Sequence, residues 1–389
     1  MTDTRRIMAI FFIQSIAMGS WFPRIPEVQQ ALGLGPAQLA LALLGMPIGL
    51  LITLPFAGGF VERVGARATM IWGFVVFLLL VPLPAFAWSL PSLFVALLLA
   101  GTAISGLELG MNVAADAIEH RAGRKIMSTC HGFWSLGQMA GSLVGVGFAA
   151  LALPPGWSLA IVAVALVGPA LWLAITLPLD VSAEHAESAP ATKSPWSLPS
   201  KALVGLSVFV FGVAMAEGAA ADWSAVFLRD VIGSPVALAG FGCTAYAFAI
   251  ATGRFLGDYL SARFGAAPLA RLCGLITIGG VLLVVTSGGA TQALIGLAAL
   301  GFGCSVGFPL GVTAAARLGD RPAAANVAVL SLFALCGFLV GAPMIGFVAE
   351  HLDLRYGLAM LLPPLLVSLA LAGGLRPRRP AGELASAGA

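Results

Sequence analysis

Charged and strongly polar side chains inside long apolar runs are where this chain can do chemistry. Twelve stand out: Gln14, Arg24, Glu108, Asn112, Asp116, His131, Gln138, Glu217, Asp222, Arg254, Asp258 and Asn326. A carboxylate or guanidinium at the centre of a membrane helix sits about 2.5–3.5 kcal/mol uphill on insertion scales. Such groups are expected to face the interior of a helix bundle, to pair, or to line a water-filled path.

Their spacing sorts them. Glu108, Asn112 and Asp116 recur at i, i+4 and i+8, one polar stripe on one helical face. Glu108 and Asn112 are read as substrate- or proton-path residues. Asp116 is read as a structural partner of the arginines in the following loop. Glu217 stands near the middle of its run, with Asp222 more than a turn further on and Trp223 beside it. Arg24, in Trp21-Phe22-Pro23-Arg24, lies at nearly the same depth as Asp222, so an Arg24–Asp222 pair closing an outer mouth is expected. Arg254 and Asp258, at i and i+4, are expected to form an internal ion pair. His131 reads as a hydrogen-bonded structural histidine. Gln14, Trp21, Trp134, Gln138 and Asn326 complete the candidate cavity residues. A polyol needs such amides and carboxylates with an aromatic platform, and an amine adds a reason for the carboxylates.

The elements that carry these residues follow from composition. Of 389 residues, 59% are hydrophobic and 10% charged, against about 25% charged in ordinary soluble domains. A spanning helix takes about 20 apolar residues. Twelve can be placed, at 7–27, 37–60, 68–87, 92–117, 129–151, 158–178, 202–228, 236–260, 269–288, 291–314, 325–349 and 357–375. The organisation is an N-terminal bundle over 1–179, a polar linker over 180–201 and a C-terminal bundle over 202–389 with a short tail. Placing the N-terminus in the cytoplasm puts 16 of the 20 lysines and arginines on that side, and leaves Arg229 and Arg355 in the opposite loops. Both termini are therefore expected to be cytoplasmic, and Ile7 onward reads as a retained helix rather than a cleaved signal.

The composition also excludes. The five cysteines stand singly, without metal-ligand spacing. There is no Walker loop, nucleophile constellation or metal cluster, so no enzyme, ATP drive, metal or cofactor is expected. A net charge of +3 gives no reason for a nucleic-acid partner.

One short polar stretch organises the whole. Gly58, Glu62, Arg63, Gly65 and Arg67 lie between the second and third apolar runs. Arg63-Val64-Gly65-Ala66 is echoed 200 positions later by Arg263-Phe264-Gly265-Ala266, as in a chain of two similar halves. This stretch resembles the Gly-x-x-x-Asp-Arg-x-Gly-Arg motif of the major facilitator superfamily, with Glu62 for the usual Asp and the second Arg displaced by one. Gly19-Ser20-Trp21 with Arg24 and Pro26, Asn112 with Asp116, His131-Gly132 with Trp134-Ser135, Glu217-Gly218 with Asp222-Trp223, and Gly253-Arg254 with Gly257-Asp258 resemble its MosC/YbjJ-type branch.

The resemblance implies an all-α polytopic membrane protein, two pseudo-symmetric six-helix bundles with the substrate site between them near the midplane. It also implies a bacterial inner-membrane location and a cytoplasmic gate at Gly58–Arg67 and Arg263. The expected function is secondary active transport of a sugar, inositol or rhizopine-like amino-inositol by alternating access. Protons are expected as the coupling ion, and a monomer in the bilayer as the working form. An exporter of drugs or toxic metabolites is the competing transport reading. A non-transporting membrane sensor is a third.

Overall fold

The computed structural model describes residues 1–123, 125–178 and 198–376. Residues 180–197 of the linker expected over 180–201, with His185 and Lys193, lie outside the described residues, as do Arg124, Arg378 and Arg379.

The described residues form the following main helical stretches in chain order. They are α1 Asp3–Trp21, α2 Pro36–Val64, α3 Ala66–Phe86, α4 Leu90–Ala122, α5 Met127–Ala150, α6 Pro155–Ile175, α7 Lys201–Asp230, α8 Val236–Phe264, α9 Ala266–Val285, α10 Ala290–Ala316, α11 Ala323–His351 and α12 Leu354–Leu375. Ten of these are long and apolar enough to cross a membrane. The other two, α1 and α5, are diluted by Asp3, Arg5 and Arg6 and by glycines, His131 and Gln138. A tight 3₁₀ turn, Phe22–Arg24, and a short helix, Ile25–Ala31, extend α1 beyond the expected end. Proline and serine start several helices as capping rules require: Ser89 accepts the Ser92 N–H ahead of α4, and Ser200 that of Leu203 ahead of α7.

Several boundaries move, and one moves for a clear reason. The Gly58–Arg67 stretch was expected as a connection, yet α2 stays helical to Val64, so Gly58 and Glu62 lie in its last turns. The connection shrinks to Gly65, at φ 83° and ψ 152°. Gly265 adopts φ 83° and ψ 153° between α8 and α9. That region belongs almost solely to glycine, so one residue can reverse the chain in both halves.

Small residues let helices approach backbone to backbone. A Cβ added at Gly137 or Gly141 of α5 would strike the carbonyl oxygens of Phe12 or Ile16 of α1. One at Gly19 would strike Gln138. In the second half, Gly337 of α11 lies where a Cβ would come within 2.5 Å of the Phe211 carbonyl of α7. Dispersion gained by close packing replaces the hydrophobic drive that lipid removes.

Candidate functional site

The α1–α5 contact fixes the first part of the site. It brings Gln14 against Trp134, whose indole Nε1 donates to Gln14 Oε1 at 2.8 Å. The second part comes from α7 and α8. Arg254 Nη2 donates to Glu217 Oε1 at 3.0 Å, with side-chain exposures of 14% and 11%. The two parts meet across the halves. Arg254 Nη1 donates to Ser135 Oγ of α5 at 2.6 Å, and its guanidinium carbon stands 5.8 Å from the centre of the Trp134 ring. Gln14, Trp134, Ser135, Arg254 and Glu217 thus form one connected polar cluster from four helices. A guanidinium this enclosed requires its carboxylate, and the indole face adds a cation–π contact.

Two expected ion pairs are corrected. Arg254 pairs with Glu217 rather than Asp258. Asp258 is exposed near the end of α8, where water can solvate it, whereas Arg254 points into the bundle. Arg24 does not pair with Asp222. Arg24 is fully buried and binds Glu27 twice, at 2.5 and 2.9 Å, as well as Ser158 Oγ at 3.0 Å and the Leu153 carbonyl at 2.6 Å. Glu27 at i+3 and the α5–α6 connection occupy its donors within the first half. The i, i+3 spacing of Arg24 and Glu27 was the signal that could have found this.

The other candidates take separate places. Glu108 and Asp222 are half-buried, and among the described residues no hydrogen bond or ion pair reaches either carboxylate. The Asn112 amide donates to the Glu108 carbonyl of its own helix at 2.9 Å. Asp116 stands 3.7 Å from His120 Nε2, both well exposed. Gln138 is buried on α5, and Trp21 and Trp223 are core residues at 2% and 0% exposure. His131 packs edge-on to Phe11, ring centres 5.4 Å apart. Asn326 leaves the expected site altogether. It sits at the start of α11, where its amide holds the Ala315 carbonyl at 3.2 Å and Asp320 Oδ1 at 2.8 Å, and so fixes the α10–α11 turn. Slight burial works to raise the Asp320 carboxyl. Hydrogen bonds from Ser200, Asn326 and nearby backbone outweigh it and hold the carboxyl below its ordinary range.

Away from Gly65 and Gly265, several contacts join residues of α1–α6 to residues of α7–α12. Arg229 of α7 donates to the Pro26 carbonyl, and to Gln29 Oε1 at 2.8 Å. Glu350 of α11 accepts the Ala37 N–H of α2 at 3.1 Å. Ser142 and Thr244 oxygens lie 2.8 Å apart between α5 and α8. Arg229 also pairs with its neighbour Asp230, but the partners that Arg229 and Glu350 hold across the chain are backbone groups and an amide, which carry no charge pattern and so escaped sequence reasoning. At the opposite end Arg263 bonds within α8, to Tyr259 at 3.0 Å. Among the described residues, Glu62, Arg63 and Arg67 bond to no other element.

The described residues form a multi-pass helical membrane protein whose polar cluster lies between two helix groups, an arrangement suited to carrying a polar solute. The sequence matches the family described as Major Facilitator Superfamily over residues 7–233 and 198–389. The chain belongs to that family, whose members are transporters and not enzymes. It is 29% identical over 354 residues to an MFS-type transporter of Yersinia pestis, covering 90% of this chain and 91% of that one. It is 27% identical over 358 residues to the membrane protein MosC of Rhizobium meliloti, covering 90% and 85%. Among solved structures it superposes on the nucleoside transporter NupG with a TM-score of 0.75 at 14% identity, covering 96% of this chain and 100% of that one. The fucose:proton symporter FucP of E. coli gives 0.62 at 17% identity, covering 96% and 98%.

Proposed function

We propose that the protein is a secondary active transporter that moves a small polyhydroxylated solute, a sugar, inositol or amino-inositol, by alternating access across the bacterial inner membrane. The observation that carries the reading is the Gln14–Trp134–Arg254–Glu217 cluster. It offers amide and guanidinium donors, a carboxylate acceptor and an aromatic face, and it joins the two halves. A pair that is neutral as a whole suits an uncharged polyol. The half-buried carboxylates of Glu108 and Asp222 suit an amine substituent, the feature that separates an amino-inositol from a plain sugar. The relatedness to MosC supports the same class.

The site lies between an N-terminal bundle over 1–179 and a C-terminal bundle over 202–389, with all twelve helices crossing the membrane and both termini in the cytoplasm. Closure at the Arg229 end, with Glu62, Arg63 and Arg67 at the other bonded to no other element among the described residues, then describes the inward-facing state. Protons are the coupling ion, carried on a membrane carboxylate, and one proton moving down 100 mV supplies about 2.3 kcal/mol. The protein works as a monomer.

The test is a thermal-shift screen of purified protein against inositols, amino-inositols, hexoses and cationic drugs, with proton-driven uptake into proteoliposomes for any compound that binds. Stabilisation by a polyol, lost in Glu217→Gln, is expected. Stabilisation by many lipophilic cations and by no polyol overturns the reading in favour of an exporter.

A further inference from the structure

The two ends of the Gln14 amide are treated unequally. The side chain is fully buried. Its Oε1 accepts from Trp134 Nε1 at 2.8 Å, whereas among the described residues its Nε2 meets no acceptor. Rotating the amide does not cure this. An indole nitrogen donates and cannot accept, so a rotated Gln14 would set N–H against N–H and orphan its oxygen as well. Trp134 therefore dictates the sense of the amide, and Nε2 must present its hydrogens elsewhere. Buried donors are nearly always satisfied, and an orphan beside the polar cluster calls for an acceptor from outside the chain. The same Trp134 ring carries Arg254 at 5.8 Å, so the buried, unpartnered donor and the Arg254–Glu217 pair are neighbours of one side chain.

We propose that Gln14 Nε2 donates a hydrogen bond to an oxygen of the bound substrate, and that Trp134 is the positioning residue that fixes the amide in this sense. The inference rests on the polyol reading above and deepens it, because it names the atom the site selects at this point. A hydroxyl, ether or carbonyl oxygen is accepted there. An ammonium or N–H group is rejected, since donor would face donor. An amine on the substrate must lie at the opposite side, towards the carboxylates.

The test uses calorimetric titration of the full chain in detergent with myo-inositol and its single-deoxy analogues, D-glucose and uridine. Gln14→Met keeps the volume and removes the donors. Trp134→Phe keeps the ring and releases the amide. For whichever of these compounds binds wild type, Gln14→Met is expected to weaken binding at least tenfold. One deoxy analogue is expected to lose affinity in wild type and to lose no more in Gln14→Met, which a structural role for Gln14 would not produce. Trp134→Phe is expected to raise KM for transport with little change in maximal rate. Unchanged affinity in Gln14→Met makes the occupant a buried water and overturns the inference while the polyol reading stands. If none of the compounds binds wild type, both fail together.

Discussion

Arg254 of α8 holds Glu217 of α7 at 3.0 Å, and the same guanidinium reaches the other half at Ser135, 2.6 Å away. The ion pair is therefore also a bridge between the helix groups. Removing one partner of an enclosed pair leaves the other charge uncompensated, which costs about 3–5 kcal/mol. Glu217→Gln and Arg254→Gln should each lower the thermal unfolding temperature sharply in detergent. The double variant should lose less than the sum of the two. Additive losses would mean that the pair is not coupled.

The closed end should behave as a latch. Arg229 bonds the segment that follows Arg24, and Glu350 accepts the Ala37 N–H at the start of α2. Ala37→Cys with Glu350→Cys should crosslink readily at rest with a short bifunctional reagent and stop transport reversibly. Arg229→Ala should shift the population away from this closure, read as slower crosslinking of that pair. Rapid transport by the crosslinked protein would show that these contacts persist through the cycle.

Site geometry depends on how closely α1 and α5 approach. Gly141→Leu forces a side chain against the Ile16 carbonyl. Overpacking of this kind costs about 1–3 kcal/mol. Because Gln14 and Trp134 sit at this contact, binding should weaken along with stability, as seen by titration beside a melting curve. Gly147→Ala, where an added Cβ meets open space, should change neither.

The Asp320 carboxyl gives a pH signature. Its folded value is lowered, so its contribution to stability is present above the ordinary carboxylate value of about 3.9 and is lost as pH falls through the folded value. Asp320→Asn should lower the melting temperature at neutral pH and flatten this acid limb, because the contribution it removes is the one present above the ordinary carboxylate value. Asn326→Leu should shift the limb upward in pH, since it removes one of the hydrogen bonds that lower the carboxyl.

Much of the architecture was legible along the chain, because a bilayer demands long apolar helices and each such run writes itself into composition. The Arg63 and Arg263 echo marked two turns that adopt the same glycine conformation, since only glycine allows the reversal in one residue. The candidates Gln14, Trp134 and Glu217 were visible as polar groups whose burial needs a reason.

Their partners were decided by tertiary structure. Helical spacing offered Asp258 to Arg254 and equal depth offered Asp222 to Arg24, but spacing ranks only neighbours on one helix and depth ignores rotation about the axis. Packing of α5 against α1 and α8 turned Arg254 toward Glu217 and Ser135. The α5–α6 connection and Glu27 satisfied Arg24 inside its own half. Asn326 looked like a cavity amide and became the lock of a turn, because the residues it binds, Ala315 and Asp320, are brought to it by the reversal between α10 and α11. The sequence by itself determined which groups had to be buried in a membrane protein. Only the fold determined which of them meet, because contact across helices depends on the angles and separations that small-residue packing sets.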